Sequence, residues 1–350
     1  MSSNRIEMTL PFDPDSTVFP SRKDVPRRDD APEGAAWVWG KDDNLGRLNL
    51  LTPTRVKAAA AEIKTGEAIS LNNSLPLNVP EVPAFHREKF KHEIKPLVEG
   101  LAYDDLYTLN TQSGTQWDGF RHMAHLPTST FYNNTKGSDI TGPASNLKSS
   151  IHHWTHGGNI CGRGLLLDYF TYAQQHSLPH DPYTSTAIPL SSLRACGHSQ
   201  NLDIRPSSLG GDVQIGDILF IRTGFTRAYN STPRPERNAL AARPHVFGPE
   251  DGQRWGGVEQ SSEMLDWLHD CYFAAVAGDA PSFEAWPSGK GWYLHEYLLA
   301  LWGCPIGELL DLERVSERCR ELGRWTFFVV SAPANVEGGV STHVNGTAIL

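Results

Sequence analysis

The amino-acid sequence predicts an α/β fold, because strand-like runs and helical segments both occur along the chain. Five runs are apolar or rich in β-branched and aromatic residues: Tyr107–Asn110, Arg163–Asp168, Asp217–Thr223, Ala274–Ala277 and Trp325–Val330. Continuous apolar runs are typical of strands that are covered on both faces. The 350 residues, 39% of them hydrophobic, also supply enough apolar surface for a buried core.

Three helices are predicted from starting residues and apolar spacing. Pro53 marks the start of the first, since proline is favoured at the first helical position, and this helix ends near Gly66. The run Ala68–Leu71 follows it as a short strand. Glu263–His269 is the second helix. Tyr293–Trp302 is the third, and its apolar residues recur at helical spacing, so one face of it should lie in the core.

The chain is predicted to be an N-terminal arm followed by a single domain. Residues 1–35 are rich in Pro, Asp, Arg and Ser and are expected to form an irregular arm on the surface. Residues 36–350 show no internal repeat and no low-complexity linker. Within them, residues 75–100 are interrupted by prolines and lack periodicity, which predicts a long surface loop. Such loops in compact domains are often functional.

Charge and hydropathy patterning exclude several classes of partner. The net charge is −9 and the basic residues form no stripe, so nucleic-acid binding is not expected. No window reaches the roughly 20 apolar residues that span a bilayer. The first residues lack the apolar core of a signal peptide, and the chain is therefore expected to be cytoplasmic. A small-molecule substrate remains the expected partner.

The densest cluster of chemically useful side chains is Asn110–His125. It carries three amides, one carboxylate and two imidazoles around Gly114 and Gly119, which allow tight backbone bends. Asp118 and His122 can bind a divalent ion, or form an acid/base pair in which the carboxylate orients the imidazole. The alternative is a hydrogen-bonded loop whose polar groups satisfy turn amides.

The order of residues in this cluster resembles His-x-Gly-Thr-His-x-Asp-x-Pro-x-His, the signature of the cyclase family that includes kynurenine formamidase-like hydrolases. Four residues match it: Gly114, Thr115, Asp118 and His122. Gln112 and Gln116 stand where the family has its first two histidines, and Phe120 replaces the proline.

Other stretches extend the resemblance over most of the chain. Gly162–Asp168, Gly216–Gly224 and Val276–Ser282 are similar to three further family segments. The resemblance implies a swivelling β/β/α fold, with mixed sheets and flanking helices, and assembly as a homodimer or larger homo-oligomer.

The resemblance also implies a metal centre and a catalytic base. In metal-dependent members the aspartate of the signature holds the metal and the last histidine is a base beside it, roles that fall on Asp118 and His122. His295 and Glu308 correspond to the family's downstream histidine and glutamate ligands. Their spacing of 13 residues is one longer than the usual pattern.

The two glutamines leave the cofactor open. A neutral amide oxygen is a weaker zinc ligand than imidazole and suits harder cations. Either a divalent ion, Mn²⁺ or Zn²⁺, is bound, or the site works without metal. In the metal-free case Gln112 and Gln116 would hydrogen-bond the substrate, while His122 and Asp118 carry proton transfer.

Three further side chains are predicted to bind substrate. Trp39 and Trp117 can line an aromatic pocket, although burial in the core is the alternative for each. Arg121, beside His122, can hold a substrate carboxylate bidentately, or else form a surface salt bridge.

The reaction implied by the resemblance is hydrolysis of an amide, formamide, cyclic imide or lactone by water that His122 activates. Two alternatives remain. One is a metal-independent cyclase or lyase of secondary metabolism. The other is a non-catalytic protein that binds a small molecule in the same pocket.

Overall fold

The computed structural model describes residues 9–73 and 81–350. The strands in these residues, in chain order, are β1 Ala68–Ser70, β2 Lys91–Val98, β3 Ala102–Thr108, β4 Gln116–Asp118, β5 Ile160–Leu167, β6 Ala187–Ile188, β7 Ile218–Ile221, β8 Gly257–Val258, β9 Ala275–Gly278, β10 Ile306–Glu308, β11 Thr326–Ser331, β12 Ser341–His343 and β13 Gly346–Ile349. Nine of them form a mixed sheet in the order β1-β13-β11-β5-β7-β9-β10-β4-β12, and β2-β3 and β6-β8 form two small sheets.

The α-helices of the described residues are α1 Pro53–Ala59, α2 Gly137–Ile140, α3 His152–His156, α4 Tyr169–Gln175, α5 Leu190–Ser199, α6 Phe225–Ser231, α7 Arg234–Ala241, α8 Ser262–Asp270 and α9 Glu313–Leu322. Short 3₁₀ turns lie at Gly46–Leu50, Ala60–Glu62, Ala84–His86, Leu126–Thr128, Tyr132–Asn134 and Ser207–Leu209, and Glu296–Leu301 is π-helical. Over residues 9–73 and 81–350, no helix has both the length and the apolar character needed to cross a bilayer.

The core of the large sheet explains the apolar runs of the sequence. Strands β5, β7, β9 and β10 are parallel neighbours, and β11 and β4 join this group antiparallel on either side. All four residues of β7 and all four of β9 are buried. Parallel strands covered on both faces need apolar side chains at every position, which is why these runs lack alternation.

The predicted helices are present with adjusted bounds. The helix at Pro53 begins where the Thr52 side chain accepts a hydrogen bond from the Arg55 backbone N–H, and it ends at Ala59 before the 3₁₀ turn. The second runs over α8. The third is largely π-helical, and its apolar residues are buried as expected except Tyr297, which is partly buried.

The long loop predicted over residues 75–100 is wrong in part. Strand β2 occupies Lys91–Val98 and pairs with β3 in a hairpin. Its strand character escapes the sequence pattern because every residue of β2 is exposed and Pro96 interrupts the run. Residues 75–80 lie outside the described residues.

Residues 9–35 form turns and bends that are fastened to the rest of the chain. Phe12 is buried, and its backbone N–H donates to the Val38 carbonyl at 2.8 Å. The Phe19 ring stacks on Tyr272 with 4.5 Å between centroids. The division into an arm and a single domain stays a prediction.

Gly46 and Gly303 bring the N-terminal part of the chain against the segment that follows the π-helix. The Arg47 backbone N–H donates to the Gly303 carbonyl at 2.6 Å. Gly46 has φ +55°, and a Cβ added there would lie 2.1 Å from the Gly303 oxygen. Only glycine allows the two backbones to approach so closely.

We expect Gly46→Ala to lower the free energy of unfolding by about 3 kcal/mol or more, because positive-φ strain adds to a clash with rigid backbone. Gly66→Ala is the matched control. Gly66 has φ +75° with nothing within 4 Å of an added Cβ, so only the conformational cost of about 1–2 kcal/mol is expected there. Urea unfolding measures both. Equal losses in the two variants would contradict the close approach.

Candidate active site

The centre of the site lies where β4 meets β10 near one edge of the large sheet. Their antiparallel register places Glu308 directly opposite Gln116 and Ile306 opposite Asp118. Directly opposed residues share a face of a sheet, and so do residues two apart on one strand. Gln116, Asp118 and Glu308 therefore point to the same side, and all three are buried.

His295 immediately precedes the π-helical segment, and its side chain reaches this face of the sheet. Its Nε2 lies 3.2 Å from Oε1 of Glu308 and 3.6 Å from Oδ2 of Asp118. A π-helical turn holds more residues than an α-helical turn. The segment Glu296–Leu301 follows His295 directly, and the chain then returns along β10 to place Glu308 beside the imidazole.

Glu284 fixes the orientation of the His295 ring. Its Oε1 lies 2.7 Å from His295 Nδ1 and also accepts from the His295 backbone N–H at 2.9 Å. Its Oε2 accepts from Gln260 Nε2 and from the Leu294 backbone N–H, both at 2.7 Å. Sequence reasoning missed Glu284. The sequence held one signal: Glu284 is a lone carboxylate between the aromatic residues Phe283 and Trp286, in a run that should be buried.

Both predicted glutamines belong to the cluster. Gln112 Nε2 donates to Oδ1 of Asp118 and, at 2.8 Å, to Oγ of Ser341. Gln116 Nε2 donates to Oε1 of Gln112 at 2.8 Å and to Oε2 of Glu308 at 2.9 Å. Two acceptors, Oδ2 of Asp118 and Oε1 of Gln116, are buried without a hydrogen-bond partner in the described part of the chain.

The electrostatics of the cluster keep negative charge on Asp118. Burial alone would raise the pKa of Asp118, but the two neighbouring imidazoles and the Gln112 amide outweigh it and lower the pKa to about 2. Burial and the charge of Asp118 raise the pKa of Glu308. Burial would lower the pKa of His295, yet its hydrogen bonds to the surrounding carboxylates raise that pKa well above its ordinary value.

His122 stands between this cluster and a cavity. Its Nε2 lies 3.9 Å from Oδ2 of Asp118, and its side chain is 23% exposed. Burial and the positive charges of Arg87 and His295 lower the pKa of His122 to about 4, against the opposing attraction of Asp118. The imidazole is therefore neutral at pH 7 and can accept a proton.

The cavity has a volume of about 220 Å³. Its lining residues are Phe85, Arg87, His122, Met123, His245, Phe247, Pro281, Ser282, Trp286, His295 and Glu308. The hydroxyl of Ser282 is buried with no hydrogen-bond partner among the described residues. Sites for drug-sized ligands are typically about 300–1,000 Å³, so this cavity suits a small molecule.

Arg87 is the partly buried cation on the cavity wall that sequence reasoning missed. Its Nη1 donates to the Gln112 carbonyl at 3.0 Å, and its guanidinium lies 4.9 Å from the centroid of the Phe85 ring. Phe85 and His86 both have positive φ, 58° and 55°, a conformation that is strained for non-glycine residues and that occurs often at ligand sites.

Three residues predicted to bind substrate lie away from the cavity lining. Trp117 points to the opposite face of β4 from its neighbours and donates from Nε1 to Oγ of Ser331 at 2.9 Å. Trp39 packs against Phe12 and Phe19 with centroids 6.1 and 6.0 Å away.

The third of these residues is Arg121. Its guanidinium donates to the backbone carbonyls of Lys148, Gly338 and Asn146. The Arg121 guanidinium therefore binds loop backbone and not a substrate carboxylate. Arg87 is the arginine that lines the cavity.

The predicted metal ligands come together and fit a divalent ion. Asp118, His295 and Glu308 each offer one ligand atom, and these atoms lie within 4.8 Å of one another. A metal-binding histidine usually gives its other ring nitrogen to a carboxylate, as His295 does to Glu284. The unpartnered Oε1 of Gln116 is a further donor.

Comparison with known proteins identifies the family. A model of the putative cyclase family matches residues 6–285, and the chain belongs to this family. A search of curated proteins found no match. The family match ends before His295 and Glu308, so the assignment of these two residues to the site rests on the geometry described above.

Several solved structures share the fold. A crystal structure described as a novel cyclase is 25% identical with a TM-score of 0.75, and the alignment covers 90% of this chain and 99% of that one. Isatin hydrolase A from Ralstonia solanacearum is 16% identical with a TM-score of 0.53, covering 85% and 97%. An isatin hydrolase bound to thioisatinate, a product analogue, is 11% identical with a TM-score of 0.52, covering 86% and 97%. The predicted cyclase-family α/β fold is confirmed.

Proposed function

We propose that the protein is a hydrolase that cleaves a carbon–nitrogen bond of a small amide, formamide or cyclic imide, or the ester bond of a lactone. The observation that carries this proposal is the position of His122. Its imidazole lies on the wall of a small aromatic cavity, 3.9 Å from a buried carboxylate. A base at the border of a cavity and an ionised carboxylate is the arrangement that general base catalysis requires.

The first step is proton removal from water in the cavity. Neutral Nε2 of His122 accepts the proton as the water oxygen attacks the substrate carbonyl. The imidazolium that forms is stabilised by Asp118, whose lowered pKa keeps it ionised. His122 then returns the proton to the departing nitrogen or oxygen, which restores the resting state. Assistance of this kind contributes about 10²–10⁴-fold in rate.

The tetrahedral intermediate needs donors for its developing oxyanion. Ser282 and Arg87 line the cavity, and the Ser282 hydroxyl has no other hydrogen-bond partner among the described residues. Preorganised donors in a water-poor site stabilise such charge strongly. When bound by Asp118, His295 and Glu308, a divalent cation would act as a Lewis acid on the substrate carbonyl.

A second candidate is metal-independent cyclase or lyase chemistry. The observation that favours it is the pair of glutamines, whose Nε2 groups already donate to both carboxylates of the cluster. In this reaction His122 and Asp118 would move protons on the substrate without attack by water. The same cavity and the same base serve both candidates.

Turnover of a small substrate panel tests the proposal. The panel comprises an N-formyl aniline, N-formylkynurenine, a cyclic imide and a lactone, each incubated with wild-type protein in the presence and absence of Mn²⁺. We expect hydrolysis of at least one, detected by mass spectrometry as addition of water. N-formylkynurenine carries a carboxylate that the Arg87 guanidinium can bind, and the simple anilide carries none. The ratio of their turnover rates therefore reports on Arg87. No water addition to any member under either condition would contradict the proposed hydrolase.

A further inference from the structure

A second histidine lies on the cavity wall and has no part in the proposed steps. His245 belongs to the irregular segment between α7 and β8, and it lines the same cavity as His122. This segment is anchored close to His245, because the Arg243 guanidinium donates to the backbone carbonyls of Tyr183 and Arg254 at 3.1 and 2.8 Å. The imidazole is therefore presented to the cavity by a fastened stretch of chain.

A buried carboxylate fixes the orientation of the His245 ring. Asp251 has no exposed surface, and its Oδ2 lies 2.7 Å from His245 Nδ1. The same Oδ2 accepts from Trp286 Nε1 at 2.9 Å, and Oδ1 accepts from the Gln253 backbone N–H at 2.9 Å. The Phe85 ring makes an edge contact with the imidazole, with 5.2 Å between centroids. These contacts fix which side of the imidazole faces the carboxylate and which side is left for a ligand.

The bond to Asp251 also determines which nitrogen of His245 carries the proton. An ionised carboxylate only accepts hydrogen bonds, so Nδ1 is the donor of this pair. In the neutral ring the other nitrogen, Nε2, is then a bare acceptor. The side chain is 25% exposed, and Nε2 has no hydrogen-bond partner among the described residues. It is free to accept a hydrogen bond from a molecule in the cavity.

The wall around His245 suits a flat ligand. The Trp286 ring lies 5.2 Å from Phe85 and 6.0 Å from Phe247 between centroids, and all three rings line the cavity. Aromatic side chains pack favourably against the faces and edges of other planar groups. The volume of about 220 Å³ restricts such a ligand to a small one.

We infer that His245 selects substrates that carry an N–H group on a planar ring or amide, because its Nε2 accepts a hydrogen bond from that group. The inference rests on the proposed function and narrows its substrate: secondary amides, formamides of aromatic amines and unsubstituted cyclic imides carry such an N–H, and lactones do not. A site built to pair with a polar group rejects analogues that lack it, since its own polar atom is then left unpaired. His245 is thus a specificity-determining residue, and His122 remains the base.

This contact complements the groups that face the substrate carbonyl. An amide holds its N–H and its C=O in one plane. His245 supplies the acceptor for the N–H, while Ser282 and Arg87 on the same cavity wall supply donors for the carbonyl oxygen. Contacts at both ends of the amide would orient its carbonyl carbon for attack by water.

Binding of a matched pair of ligands tests the inference. Oxindole is a bicyclic lactam with a ring N–H, and 2-indanone has the same shape and the same carbonyl but a CH₂ group in place of that N–H. Isothermal titration calorimetry of the full-length wild type should show that oxindole binds about tenfold or more tightly than 2-indanone, because 2-indanone leaves Nε2 of His245 unpaired. The measurement requires no turnover.

The variant His245→Phe keeps a planar ring and removes the acceptor. We expect it to bind the two ligands equally, through a loss of affinity for oxindole alone. His125→Ala is the matched control, because it removes an imidazole that does not line the cavity, and it should keep the wild-type preference. Circular dichroism checks that each variant is folded. Should His245→Phe fail this check, His245→Leu replaces it, with the same expected loss of preference.

The inference is overturned by a wild type that binds both ligands equally or binds neither, by a His245→Phe variant that still prefers oxindole, or by a control that loses the preference. Turnover of the substrate panel is recorded separately. A wild type that prefers oxindole and hydrolyses no panel member supports the role of His245 in binding and contradicts the proposed hydrolase. Hydrolysis by a wild type with no preference for oxindole supports the hydrolase and contradicts the role of His245.

Discussion

Replacement of His122 by alanine is expected to lower kcat by about 10²–10⁴-fold on whichever panel substrate the wild type hydrolyses, because the proton of the attacking water then has no acceptor. KM should change little, since the cavity keeps its aromatic walls and Arg87. Steady-state kinetics at pH 7 separate the two parameters.

His125→Ala is the matched control for this variant. His125 lies three residues further along the chain, hydrogen-bonds Thr128 and does not line the cavity. It should retain nearly full activity. If His122→Ala loses less than tenfold in kcat, His122 is not the base, and the reaction must draw on another group of the cavity wall.

Replacement of Asp118 by asparagine is expected to abolish stoichiometric binding of a divalent ion. The wild type, loaded with Mn²⁺ and desalted, should retain close to one equivalent by mass-spectrometric metal analysis, because Asp118 supplies a buried, ionised oxygen. Asparagine has the same shape without the charge. Glu284→Gln should instead lower the affinity for Mn²⁺ by about 10–100-fold, since Glu284 orients His295 and is not itself a ligand.

This series separates the two candidate functions. Equal metal content in the wild type and in Asp118→Asn would contradict the site formed by Asp118, His295 and Glu308. A wild type that takes up no Mn²⁺ or Zn²⁺ and still converts substrate would favour the metal-independent chemistry. In that case the two glutamine amides are the permanent partners of the carboxylates.

Local sequence order predicted the part of the site that is local in the chain. Gln112, Asp118 and His122 lie within one short segment, and their close approach follows from one bend and one strand. The partners that were missed come from elsewhere in the chain. Arg87 lies before the hairpin and Glu284 lies after β9. No short-range pattern links either residue to Asp118.

The structure departs from the sequence-based expectation at Trp117 and at residues 91–98, each for a physical reason. Trp117 was expected at the substrate, but successive side chains of a strand point to opposite faces, and its neighbours Gln116 and Asp118 already occupy the site face. Residues 91–98 were expected to be loop, because a strand exposed on both faces does not show the hydrophobic pattern by which strands are recognised.

The brevity of β4 means that the site and the core depend on the same three residues. Trp117 packs against the backbone at Gly307, where an added Cβ would lie 2.8 Å from the indole, while its two neighbours face the carboxylate cluster. A slip of one residue would turn the indole into the cluster and push Asp118 into hydrocarbon, a change that costs several kcal/mol. A misregistered chain would therefore be inactive and unstable together. Cellular proteases that remove unstable chains would thereby also remove the inactive ones.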